Sequence, residues 1–227
     1  MMGKTHKIGG ALAGVAVSRI LYSGDYATVG AYASLIIGSV LGSLLPDIDK
    51  KESTIGRILW FISWPIFLLR ITFRLLARIL PGALKRHLKE IDEDLGHRGI
   101  AHSLITWLVF SVILYFSQSF ILRNLTEIID IFSKEIVIDP VMIKVNIFAF
   151  LFGVSVGMLS HILLDIFTNS GVAIFSPFID KKIKVCSIKT GSIAESVIRK
   201  LMTAAVVVIL YDDLLPYLTK IKEWLPM

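Results

Sequence analysis

The chain has 227 residues, of which 55% are hydrophobic and 19% charged, and its mean hydropathy is +0.73. Soluble domains carry roughly a quarter charged residues, so a water-soluble core is excluded as the home for this much apolar sequence, and lipid is the expected solvent. A net charge of +6 without any nucleic-acid motif points to basic loops beside anionic lipid and away from nucleic acid, while the single cysteine, Cys186, excludes an internal disulfide.

In chain order, MMGKTH is basic, but the Gly-rich run after it has no small-residue cleavage site before Arg19, so it does not read as a removable signal. Residues 8–22 form a short candidate span, with Arg19 placed to snorkel to an interface. Residues 27–45 are uncharged and make a second span. Gly10 with Gly14, Gly38 with Gly42, and Gly153 with Gly157 share the small-xxx-small spacing that lets membrane helices approach closely. Pro46 is expected to end the second helix and to leave Asp47 and Asp49 in an extended stretch, pointing to one side.

Residues 55–80 differ: Arg57, Arg70, Arg74 and Arg78 lie among Trp, Phe, Leu and Ile, and the last three share one helical face. An amphipathic basic helix rich in aromatics lies in the membrane interface, and Pro65 predicts a kink in it. Residues 81–100 and 121–144 read as polar loops, 102–120 and 145–165 as spans, 166–200 as a Gly- and Pro-containing loop with basic Lys181, Lys182 and Lys184, and 201–218 as a weaker span interrupted by Asp212 and Asp213. The expected fold is all-α: a polytopic membrane bundle of about five spanning helices plus the interfacial helix, since each span needs about 20 apolar residues. It forms one domain over 1–227, in which 55–90 is an interfacial insertion.

The chemistry-bearing residues fall at helix ends. His6 precedes the first span, Asp47 and Asp49 follow the second, His97 and His102 open the third, and His161 and Asp165 close the fourth. If the spans alternate in direction, all seven reach one membrane face. His161 and Asp165, four apart, share a helical face. Imidazole with carboxylate suits zinc, manganese or iron, and the absence of thiolate argues against a structural zinc finger. The number of donors fits two metals better than one, and such a pair can serve a phosphoryl displacement. Of the 24 lysines and arginines, all but Arg19, Arg123, Lys134, Lys144, Lys220 and Lys222 fall on the side of these residues, which places the site at the cytoplasmic face of a cell membrane.

The stretches THKIGG, GSLLPDID, GHRGIAHS and SHILLDIFTNSGVAIFSPF resemble, in this order, the YdjM-like, LexA-regulated membrane-bound metal-dependent hydrolases. Where that family usually has HRGxTHS, this chain has Ala101 at the threonine position, which spares the candidate ligands. The resemblance implies hydrolase activity. A remoter likeness to zinc-dependent phospholipase C rests on the HxxxD pair His161 and Asp165 and implies a phosphate-ester substrate. That enzyme is soluble, and its N-terminal tryptophan ligand has no counterpart here.

The leading expectation is therefore a membrane-bound hydrolase of a lipid or membrane-proximal phosphate ester. It uses two or more divalent ions, zinc or manganese, held by His6, Asp47, Asp49, His97, His102, His161 and Asp165. Arg98 is a candidate to steady an anionic substrate, with a salt bridge to Asp47, Asp49 or Glu93 as its alternative; Glu195 is a weaker candidate acid or base, and Ser103 and Ser160 are candidate partners of the ligands. The expected partners are membrane lipids and a phosphate-bearing substrate. The rival from another class is a divalent metal transporter or sensor, and a third is a metal-binding scaffold without chemistry.

Overall fold

A computed structural model describes residues 1–22, 29–50, 52–80, 82–94, 100–132, 140–176, 178–179 and 181–224. Among these the chain is helical, with two isolated β-bridges, Thr168 to Ile188 and Val172 to Ile183. The helices are α1 (Gly3–Tyr22), α2 (Val29–Gly42), α3 (Thr54–Ile58), α4 (Trp60–Ile79), α5 (Gly82–Asp94), α6 (Leu104–Phe132), α7 (Pro140–Ile166) and α8 (Ile193–Trp224). Three stretches, Val29–Ile48, Leu104–Leu125 and Val141–Ile166, are long and apolar enough to cross a membrane. Helices α1 and α8, with 20 and 32 residues, have the length without the hydropathy, because charged residues interrupt them. The protein is an all-α membrane protein.

The centre of the bundle is the α2–α7 seam, flanked by α1 and α6, while α8 leans mainly on α1. Glycine makes this seam possible. A Cβ on Gly38 or Gly42 would run into the backbone carbonyls of Phe150 and Val154, and a Cβ on Gly153 or Gly157 into those of Leu35 and Ser39. The two small-xxx-small faces thus interlock, backbone against backbone, as the spacing predicts. On α1, Gly10 and Gly14 sit against Ser39 of α2 and Ser43 just beyond it, and Ser39 Oγ donates across to Gly10 O at 2.7 Å. At the other end of α1, Arg19 pairs with Asp213 at 3.4 Å and Asp212 at 3.9 Å, and the Tyr32 hydroxyl donates to Asp213.

Several local expectations change. Residues 45–49 form a 3₁₀ turn, Leu45–Asp49, with Pro46 in its first positions. Proline needs no amide partner there, so Pro46 starts a turn and does not straighten the chain. The apolar helix breaks at Leu59, between α3 and α4, and α4 runs on through Pro65. Residues 82–94 are helical and not loop, α6 extends to Phe132, and α8 begins at Ile193. The reason α5 forms is on its partner: Asp92 of α5 accepts from Arg70 Nε at 3.2 Å and Arg74 Nε at 2.7 Å of α4. This closes a basic hairpin whose outer α4 stripe leaves Phe61, Trp64, Leu68, Leu75 and Ile79 exposed at helical spacing.

The segment after α7 folds back over the end of the bundle. Val172 and Ile183 exchange backbone hydrogen bonds at 3.1 and 2.8 Å, and the Leu104 amide donates to Ile174 O at 2.9 Å. Ile162, Ile166, Val172 and Ile174 make a buried cluster there, covered by Leu104, Trp107 and Ile183. This apolar cap seals the end where α7 stops and α6 starts.

Candidate metal centre

Five of the seven predicted donors arrive together beneath that cap. His6 lies in the first turn of α1, Asp47 in the 3₁₀ turn after α2, His102 at the end of the 3₁₀ turn Ile100–His102 that leads into α6, and His161 with Asp165 in the last turns of α7. His6, His102, His161 and Asp165 are at most 1% exposed and Asp47 is 9% exposed. His97 and Arg98 lie outside the described residues. Asp49 ends the 3₁₀ turn, and its side chain is likewise outside them.

The donor atoms fall into two overlapping groups, His6 with His161 and Asp165, and Asp47 with His102 and His161, each with its atoms within 4.8 Å of one another. The closest approaches are His6 Nε2 to Asp165 Oδ1 at 3.3 Å, His161 Nε2 to Asp165 Oδ2 at 3.7 Å, His102 Nε2 to Asp165 Oδ2 at 3.8 Å and His102 Nε2 to Asp47 Oδ1 at 3.9 Å. Donors about 2.0–2.1 Å from a tetrahedral zinc stand roughly 3.3–3.4 Å apart, so the group is close to coordination spacing.

His161 carries the clearest sign of a ligand. Its Nδ1 lies 2.6 Å from Ser43 O. A carbonyl can only accept, so Nδ1 bears the proton and Nε2 presents a lone pair to the cluster. Nε2 is buried and makes no hydrogen bond, and neither does buried His6 Nδ1. Metal-ligating histidines are held in this way by an acceptor on the second nitrogen. The His6 ring stacks on that of His161 at 3.6 Å and 10°, which fixes both planes.

The charge of the site is partly matched within the chain. The site buries the carboxylates of Asp165 and Asp47, and buried anions cost several kcal/mol each unless matched. The Met1 amino group donates to Asp165 Oδ1 at 2.6 Å, and Lys50 Nζ lies 3.5 Å from Asp47. Such residues at the ends of apolar helices are functional by default.

Glu195, at the start of α8, stands behind the cluster. Its Oε1 accepts from the Met2 amide at 2.6 Å and the Thr5 hydroxyl at 2.7 Å, and its Oε2 from the Gly191 amide at 2.7 Å. Burial opposes its charge, but these three donors outweigh burial and hold the carboxyl below the usual glutamate range. Sequence reasoning did not foresee this tie between the α1 start and α8, nor the part of the Ser43 carbonyl, because neither backbone partner has a signature of its own. Ser103 caps α6 through the Thr106 amide at 3.1 Å, and Ser160 bonds its own helix at Gly157 O, so both serve local helix structure. His87 is exposed on α5.

The model of the YdjM inner membrane protein family matches residues 1–222. The uncharacterized protein YvsG of Bacillus subtilis (strain 168) is 27% identical over 205 residues, covering 90% of this chain and 91% of that protein. No solved structure matches the chain. With apolar spans in place and the family model running nearly end to end, the chain belongs to the YdjM inner membrane protein family.

Proposed function

We propose that this membrane protein is a divalent-metal-dependent hydrolase of a phosphate ester carried by a lipid or a membrane-proximal molecule. The observation that carries the reading is the bare, buried Nε2 of His161, aimed among Asp165, Asp47, His102 and His6 with its other nitrogen held by Ser43 O. His161 has one lone pair to give, so the two donor groups are not two separate complete sites. One ion is taken by the described residues, and a second needs Asp49 and His97 beside them. Zinc and manganese both suit this nitrogen and oxygen set. A divalent ion there supplies Lewis-acid polarisation of a phosphoryl oxygen and activation of water.

The chain's own residues do the rest. Asp165 and Asp47 set the charge of the site, the three imidazoles set its shape, and the apolar cap of Val172 and Ile174 keeps bulk water from one side. Arg98 is assigned to the substrate phosphate, for which its planar fork is suited. Glu195 is assigned a positioning role, holding the α1 start so that His6 meets Asp165. The distribution of lysines and arginines supports a cytoplasmic site. Transport sites tend to lie near the midplane, whereas these donors sit at helix ends, which favours chemistry over passage.

The test joins metal analysis of the purified protein to a panel of phospholipid and phosphomonoester substrates. The expected result is bound zinc or manganese in the wild type, release of phosphate or head group, and loss of both on chelation or in His161→Ala. Metal uptake into sealed vesicles without any turnover would decide for the transporter. A wild type free of metal, with turnover untouched by His161→Ala, would remove the enzymatic reading.

A further inference from the structure

A second feature at the same end of the bundle lies outside the histidine and aspartate cluster. Between α1 and α8 runs an open groove of about 650 Å³, lined by Lys4, Lys7, Ile8, Arg199, Lys200 and Thr203. Four cations thus converge from two helices. Among the described residues none of them has a carboxylate partner. Glu195, one turn before Arg199, is the natural candidate, but its oxygens are committed to Met2, Thr5 and Gly191. The Arg199 guanidinium makes one long contact, Nη2 to Ser196 Oγ at 3.5 Å, and its Nη1 is buried with no hydrogen-bond partner. A buried guanidinium nitrogen calls for an acceptor, and here the chain supplies none.

The groove has a second property. Its floor is apolar, made by Ile8, Ala204 and the lysine stems, and it continues along α8 onto Leu201, Val207 and Val208, which are 60–64% exposed. A phosphate group satisfies the rim, and an acyl chain satisfies the floor and the α8 face beyond it. We propose that the groove binds the head group of an anionic phospholipid from the surrounding bilayer, with its phosphate against Arg199, Lys200, Lys4 and Lys7. Arginine receives phosphate through its planar fork, and lysines at the membrane surface add attraction to anionic lipid. Helix α8 leans on the bundle mainly through α1, so a lipid across this seam holds α8 where Glu195 can tie down the α1 start. His6 faces α7 while the groove opens on the other side of α1. The lipid is therefore a resident of the seam, and its binding does not depend on whether the metal centre is hydrolytic.

The experiment uses the full chain, extracted from membranes and placed in nanodiscs of phosphatidylcholine with phosphatidylglycerol added in steps, with tightly retained lipid counted by native mass spectrometry. The wild type is expected to retain phosphatidylglycerol in preference to phosphatidylcholine. The double variant Arg199→Gln/Lys200→Gln should lower that retention about ten-fold or more, each basic residue contributing about 1 kcal/mol at a membrane surface. Lys181→Gln/Lys182→Gln removes the same charge from the exposed loop and should leave retention unchanged. Ala204→Trp, which fills the floor from an exposed helix position without changing charge, should also expel the lipid; it keeps the test decisive if the arginine variant fails to fold. No preference in the wild type, an equal loss in the loop variant, or displacement by millimolar inorganic phosphate or glycerol phosphate would overturn the proposal, the last by assigning the groove to a soluble anion.

Discussion

The carbonyl of Ser43 accepts from one nitrogen of His161 and so determines what the other can offer. The remaining donors follow the same logic, since each is fixed by a neighbour before any ion is considered: His6 by stacking, Asp165 by the Met1 amine and His6, and Asp47 by its place in the 3₁₀ turn. Asp165→Asn keeps the shape and removes the charge. It should lower metal affinity by about 100-fold or more, beyond what loss of an outer-shell partner costs, as read by competition with a chelating dye. Glu195→Gln should destabilise the protein by about 1–3 kcal/mol through its hydrogen bonds, measured as a lower Tm in detergent. Because the folded carboxyl is held below its usual range, its stabilisation is complete above that range and is lost as pH falls through the depressed value. The acid limb of the wild-type stability profile should therefore flatten in Glu195→Gln. At this scale the imidazoles and carboxylates were legible because their positions at helix ends follow from alternation alone, whereas the Ser43 carbonyl and the Thr5–Glu195 bond were not, since any residue has a carbonyl and any surface may carry a threonine.

Helix–helix packing rests on the interlock of Gly38 and Gly42 with Gly153 and Gly157. In lipid there is little hydrophobic gain on association, so close backbone contact supplies much of the packing energy. Gly157→Leu puts four carbons where Ser39 O now sits. Overpacking of this kind costs about 1–3 kcal/mol in tolerant cores, and here the opposing atom is backbone and cannot swing aside. The expected result is loss of the folded α2–α7 pair, seen as a lowered Tm. The glycine seam was readable from spacing. The basic hairpin was only half readable: α4 showed its arginine periodicity, but α5 has no apolar run to announce it and stands because Asp92 answers Arg70 and Arg74 across the chain.

For the whole molecule, orientation is the open quantity with a direct measurement. Cys186 is the single cysteine, it is exposed, and it lies in the segment that follows Asp165 at the end that holds the candidate metal centre. A membrane-impermeant maleimide should label it in inverted vesicles and not in intact spheroplasts, which fixes the cytoplasmic placement; the reverse pattern would put the centre at the outer face. The five candidate spans read from the sequence included α1 and α8, and their charged residues explain why length and hydropathy together pick out three among the described residues: Arg19, Asp212 and Asp213 answer one another in the folded bundle, information that a window of single-helix hydropathy does not contain.

The partners of the glycine seam are separated by more than a hundred residues of chain. At a synthesis rate of about 5–20 residues per second, α2 waits in the bilayer for roughly 5–20 s before α7 emerges to cover it. During that interval α1 packs beside it through Gly10, Gly14 and the Ser39 hydroxyl, and the Gly38 and Gly42 face that later meets α7 is uncovered by that helix. Biogenesis thus passes through a two-helix stage whose unfilled side is open to lipid or to an insertion chaperone, and chains truncated before α7 should be cleared by membrane quality-control proteases faster than the full-length product.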